Sequence, residues 1–246
     1  MRDELLDVYA CIKWAVAQID VLKERLIAWD QIPPYRVVAE PDSEPGKKRL
    51  RLRDVIAPDP IINAEAGAII NSLRSSLDLM INRLAARNGY AGEEDSQFPI
   101  SRCREAFFVG KHAGRKEIKR LSAADRAIIE DLEPWRGGKN PFLIALHDLD
   151  ITRKHKRLIV VNMASIFAMV RHHFDTGKRL PSILPLSCAF EDDAELGVVD
   201  IEADHENIEI AFQPSLNETG PLSGEHLVGA LQKLANFTAA IIQLFE

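Results

Sequence analysis

Apolar residues recur three and four apart from Asp3 to Trp29, at Leu5, Val8, Ala10, Ile12, Ala15, Ile19, Leu22 and Leu26, with charges on the opposite side. That spacing predicts a long amphipathic helix, ended by Pro33-Pro34. Tyr35 to Glu40 and Lys48 to Arg53 then read as an antiparallel hairpin around Pro-Asp-Ser-Glu-Pro-Gly. The second of these strands alternates Arg49, Leu50, Arg51, Leu52, Arg53, which gives one basic face and one buried face. A second helical stripe, Ile62, Ala66, Ile69, Leu73, Leu77, Met80 and Leu84, begins near Asp59-Pro60 and stops before Asn88-Gly89. Between Ala66 and Asn82 only Arg74 and Asp78 carry charge, so this helix is expected at the centre of a bundle.

Residues 89 to 121 are irregular, with short helical turns around Arg104 to Val109. Ser122 and Asp125 form an N-cap signature for a helix over Ala123 to Leu132, and Trp135-Arg136-Gly137-Gly138 reads as a turn anchored by its Trp. Asn140-Pro141 opens a helix through Leu146 and Leu149 to at least Leu158. Whether residues 158–175 continue as helix or turn into strand is left open by their periodicity. After Gly177 the period falls to two: Ile183 to Phe190, Leu196 to Ala203 and Asn207 to Phe212 predict a three-stranded meander, which the N-terminal hairpin would extend to five strands. Pro221-Leu222-Ser223 caps a last helix carrying Leu227, Leu231, Leu234, Phe237, Ile241 and Leu244. The whole, residues 1–246, is expected to be a single α+β domain, a helical bundle packed on an antiparallel sheet.

Composition leaves this picture intact: 246 residues, 46% hydrophobic and 28% charged, are ordinary globular values. The longest uncharged stretch, the 13 residues between Arg157 and Arg171, is shorter than a membrane span. Asp3, Glu4, Asp7, Lys13, Asp20, Lys23, Glu24 and Arg25 interrupt any secretory apolar core, so a cytoplasmic protein without a membrane partner is expected. Charge is more informative. The net value of -6 divides unevenly, because residues 181–246 hold one base, Lys233, against 12 acids. Basic clusters lie at Lys47, Lys48, Arg49, Arg51 and Arg53, at Arg115, Lys116, Lys119 and Arg120, and at Arg153, Lys154, Lys156 and Arg157. Nucleic acid is a conceivable partner for such clusters, but mutual cancellation by the acidic third is the favoured reading.

Two groups of residues offer chemistry. Arg74 and Asp78 stand four apart on the central helix, in a row with Gly67, Asn71 and Asn82, and are expected to pair. His147, Asp150 and Lys154 share one face of the later helix, with Asp148, Ile151 and His155 on the adjacent row. A His beside a carboxylate can act as a general base, and Lys154 with His155 can hold an oxyanion, so Arg74, Asp78, His147, Asp150, Lys154 and His155 make a candidate binding cleft. An exposed charged face explains the second group at least as well. Cys11, Cys103 and Cys188 are far apart, and no zinc, phosphate-loop or nucleophile-elbow motif occurs, so neither metal nor cofactor is expected.

The runs Asn71-Ser-Leu-Arg74-Ser-Ser-Leu-Asp78, Phe98-Pro99-Ile100, Leu132-Glu-Pro-Trp135 and Leu146-His-Asp-Leu-Asp150-Ile-Thr-Arg-Lys154-His155-Lys156-Arg157 resemble, in order and spacing, a widespread group of uncharacterised bacterial proteins. The resemblance extends from the first hairpin to Lys154-His155 and implies no activity. The group's Arg-Ser-x-Leu-Asp-His is in turn reminiscent of the Arg and His motif of HEPN ribonucleases, helical domains of toxins and phage defence. Here Leu79 stands where that His would be, leaving His155 as the substitute from another helix. The expectation is therefore a cytoplasmic binding or interaction domain of unknown ligand, with a divergent HEPN-like ribonuclease or nucleotide-modifying domain as the alternative, and enzyme status open.

Overall fold

The computed structural model describes residues 3–31, 34–91, 96–159, 161–170, 182–184, 190–202, 208–218 and 220–246. Six helices occur among them: α1 (Leu6–Asp30), α2 (Ile61–Arg87), α3 (Arg104–Phe108), α4 (Ala123–Asp131), α5 (Pro141–His155) and α6 (Leu227–Gln243). The apolar stripe of α1 is buried from Val8 to Leu26. It packs on α2, which also contacts α5 and α6 and is central as its composition implies. Leu73, Leu77 and Met80 of α2 are fully buried. Ser122 caps α4 by accepting from the Asp125 amide at 3.1 Å. Near its end α2 gathers three distant segments through one guanidinium: Arg87 reaches Glu4 at 3.0 Å, Asp125 at 2.7 Å and the Phe245 carbonyl at 3.2 Å.

The strands are β1 (Arg36–Pro41), β2 (Lys47–Arg53), β3 (Val161–Val170), β4 (Ser182–Leu184), β5 (Glu195–Asp200) and β6 (Ile208–Leu216). They form two three-stranded antiparallel sheets, ordered β1-β2-β5 and β4-β3-β6. The fold is thus α+β with the expected hairpin, but the three later strands are not a meander. β5 leaves its sequence neighbours to pair with β2, while β4 and β6 flank β3, so residues 161–170 are strand. The sequence of residues 161–170 is a short, nearly continuous apolar run, which periodicity cannot tell from a buried helix. Helix α5 accordingly ends at His155, short of Leu158, and α6 starts at Leu227 behind a His226 cap rather than at Pro221. The expected strand segment at 185–189, with Cys188, lies outside the described residues.

Charge explains why β5 goes to β2. The basic face of β2 meets acids: Arg49 pairs with Asp42 and with Glu195 (2.8 and 2.9 Å), Arg51 with Asp193 (3.1 Å), Arg53 with Glu40 and Asp193 (3.1 and 3.0 Å) and Lys47 with Asp200 (2.8 Å). Like charges facing each other across a ladder repel, so an acidic strand is the favourable neighbour for this one. The register shifts between Leu50 and Arg51, opposite Gly197, whose φ of 136° is a conformation that only glycine adopts readily. On the other face Leu50, Leu52 and Leu196 form a small second core with Val37 and Tyr35. Phe190 joins it and meets Trp29 edge-on at 5.8 Å, which connects the sheet to the end of α1.

No described helix is long and apolar enough to cross a membrane. Leu77→Ala in the main core is expected to lower unfolding free energy by about 2–5 kcal/mol in a denaturant titration. A loss under about 1 kcal/mol would show that α2 is not the packed centre.

Candidate functional site

Asn82, Asp78 and Arg74 lie one turn apart along α2, about 6 Å per step of four residues. An extended chain advances nearly the same distance in two residues. Residues 96–98 use this match, running antiparallel to α2. Asn82 Oδ1 accepts from the Ser96 amide (3.3 Å), Asp78 Oδ1 accepts from the Phe98 amide (2.8 Å), and Arg74 Nη2 donates to the Phe98 carbonyl (3.0 Å). Arg74 Nη1 also pairs with Asp78. The pair therefore grips both backbone polar groups of one residue, with Arg74 only 5% exposed. Beyond Phe98 the segment passes to the turn before α5: the Ser101 amide donates to Pro134 O (2.9 Å) and the Arg136 amide to Ser101 O (3.0 Å). That turn admits no side chain at Gly138, where a Cβ would come within 2.3 Å of the Glu133 carbonyl. Trp135 is buried against Phe107 and Phe108, as an anchoring Trp should be.

Helix α5 runs antiparallel to α2 on the same side. At Gly67 a Cβ would meet Arg153 Cδ at 2.7 Å, so the glycine makes room for the arginine stem. One turn along, Asn71 Nδ2 donates to Asp150 Oδ1 at 3.0 Å. Asp150 is 4% exposed and pairs with Lys154 Nζ at 2.6 Å, while Arg153 Nε lies 3.9 Å away. A carboxylate this deep needs such compensation. At the level of Arg74 stands His147, half-buried, its side chain without a hydrogen bond to any described group. Burial pushes its imidazole below the ordinary 6.5, with Arg74 and Arg136 adding to the effect and Asp148 and Asp150 opposing it. Arg136 holds Asp148 through two bonds, at 2.7 and 2.5 Å.

Five of the six residues singled out in the sequence thus line one seam between α2 and α5: Arg74, Asp78, His147, Asp150 and Lys154. His155 does not join them. It is the exposed last residue of α5, eight residues and about 12 Å along the axis from His147, with no hydrogen bond or ion pair to a described residue. Among the described residues no group of three or more His, Cys, Asp or Glu is placed to hold a metal. The partner of Arg74 and Asp78 that sequence reasoning missed is main chain, Phe98, and a backbone partner leaves no side-chain signal in the sequence. Comparison of the chain with protein-family models, with curated proteins and with solved structures gives no match.

Arg74→Ala strands the Asp78 carboxylate and the Phe98 carbonyl together, and is expected to destabilise the protein by about 3 kcal/mol in denaturant unfolding. An effect below about 0.5 kcal/mol would mean the clamp is not structural. Acid has a predictable sign here. His147 and His226 are both held below 6.5 in the folded state, His226 by burial, so between that lowered value and 6.5 the unfolded chain takes up protons that the native one does not. Stability should fall as pH drops from about 7.5 to 5.5, and His147→Gln should reduce the fall. An unchanged pH dependence in that variant would contradict the assignment to His147.

Proposed function

We propose that this chain is a cytoplasmic binding domain of bacterial type, which takes a small anionic ligand on the seam between α2 and α5. The observation that carries the reading is His147: a half-buried imidazole held toward its neutral form, without a side-chain partner among the described residues, one turn from the Asp150–Lys154 pair and near a fully engaged Arg74–Asp78 pair. Neutral imidazole offers one donor and one acceptor to a carboxylate or phosphate head group, and the Lys154 ammonium, paired with Asp150 through one of its three donors, keeps the others at the far end of the same helix face. Unpaired Cys11 and Cys103 suit a reducing compartment.

The HEPN-like ribonuclease is the weaker reading. It needs Arg74 and His155 at one phosphate, whereas Arg74 donates to Asp78 and Phe98 and His155 is exposed two turns away. Two experiments divide these readings. In thermal-shift screening against small carboxylates and phosphates, compounds that stabilise the protein should lose their effect in His147→Ala and Lys154→Ala but keep it in His155→Ala. Hits indifferent to His147 would overturn the binding site. With total RNA the wild type should leave the substrate intact, and cleavage abolished by both Arg74→Ala and His155→Ala would establish the nuclease instead.

A further inference from the structure

Helix α1 buries one apolar stripe and leaves a second outside. Val8, Ile12, Ala15, Ile19, Leu22 and Leu26 are buried on the side that packs on α2 and α6. On the far side Ala10, Trp14, Ala17, Val21, Glu24 and Ala28 recur alternately four and three apart, and every one of them is exposed. That is the spacing by which one helix packs along another, and only Glu24 in it is charged. Leu6, Lys13, Asp20 and Ile27, seven apart, form one flank of the row. The four large apolar side chains of this face, Leu6, Trp14, Val21 and Ile27, are each between 43% and 48% exposed. Single exposed apolar residues mean little, whereas an outward row of them along one helix marks an interaction surface.

The row is complementary to itself when reversed. Set antiparallel with Trp14 over the partner's Ala17, it brings Val21 over the partner's Ala10, so each large side chain meets a small one and two-fold symmetry repeats both contacts. On the flank the same register places Ile27 opposite the partner's Leu6 and Lys13 opposite the partner's Asp20. Lys13 and Asp20 are exposed and have no ion pair among the described residues. On the other flank Arg25 comes opposite the partner's Glu4. Glu24 comes opposite the partner's Asp7, a charge that Arg83 already answers. Parallel pairing has none of this, because each residue then meets its own copy, Trp14 against the partner's Trp14 and Glu24 against the partner's Glu24.

We infer that the outer face of α1 is a self-association surface, on which a second copy of this chain docks its own α1 antiparallel to form a two-fold dimer. None of the residues involved lies on α2 or α5, so this surface is distinct from the seam described above. A lipid surface fits less well: it selects cations along the flanks of an apolar face, whereas here Lys13 and Lys23 alternate with Asp20 and Glu24. One pair of helices is a small interface, so the association is weak, with a dissociation constant on the order of 10 μM.

The test is sedimentation velocity of the full chain from about 1 to 300 μM, across which monomer should pass into dimer. Trp14→Glu and Ala17→Arg, both at exposed positions and each with circular-dichroism melting to show that it folds, should weaken dimerisation at least about 30-fold. Val109→Glu, at an exposed apolar residue after α3, should leave it unchanged. The register is tested by exchange of charge. Lys13→Glu or Asp20→Lys alone turns two contacts per dimer repulsive and should weaken association about tenfold, while the two together should return it to within about threefold of the unaltered chain. A monomer at every concentration, a dimer indifferent to Trp14→Glu and Ala17→Arg, or a double exchange that restores nothing would overturn the inference. So would a monomeric chain that sediments with phosphatidylserine vesicles and loses that property in Trp14→Glu, which would mark a membrane surface instead.

Discussion

A guanidinium and a carboxylate one helical turn apart, both turned onto the backbone of Phe98, hold this molecule in its functional shape. Neither charge is tolerable alone at the depth of Arg74, and each answers the other while satisfying a peptide group that would otherwise be orphaned. From that grip the rest of the site follows in sequence. Phe98 fixes the extended segment, Ser101 hands it to the turn at Trp135, and that turn launches α5 with its face on α2. Gly67 and Asn71 then receive Arg153 and Asp150, and His147 arrives at the level of Arg74. The motifs scattered through the sequence are the contact points of one assembly, and Arg74 is an architectural residue of it.

Charge segregation along the chain is likewise architectural over most of its length. The acidic final third supplies β5 and its flanking turn, which lie against the basic β2 strand, so the imbalance works as a rule for strand pairing rather than as a field toward solvent. Surface pairs of this kind add little energy singly, but they discriminate between neighbours of opposite sign.

Much of this is legible in the amino-acid sequence. Helical periods located α1, α2 and α4 closely, because each buries a stripe along a regular spiral, and alternation at Arg49 to Arg53 identified a strand with one basic face. The pairing of Arg74 with Asp78 followed from their spacing alone. What sequence did not reveal were relations between elements. Residues 161–170 of β3 fit a continuation of α5 equally well in sequence, because a short run of apolar residues has no period of its own. Adjacency in sequence predicts a meander, and complementarity of charge overrides it by drawing β5 to β2. Sharing α5 suggests that His155 belongs with His147, yet membership of one helix says nothing of depth: His147 is half-buried and His155 exposed. Phe98 could not be foreseen as the object of the clamp, since its side chain is not what is held.

Amide hydrogen exchange at Phe98 tests the clamp most directly. If Asp78 accepts that amide and Arg74 secures the carbonyl, Phe98 should exchange as slowly as the buried core of α2, and Asp78→Ala, which removes the acceptor, should bring it to the rate of an exposed loop while the α2 amides stay protected. Rapid exchange at Phe98 in the unaltered protein, or protection that persists in Asp78→Ala, would contradict the account.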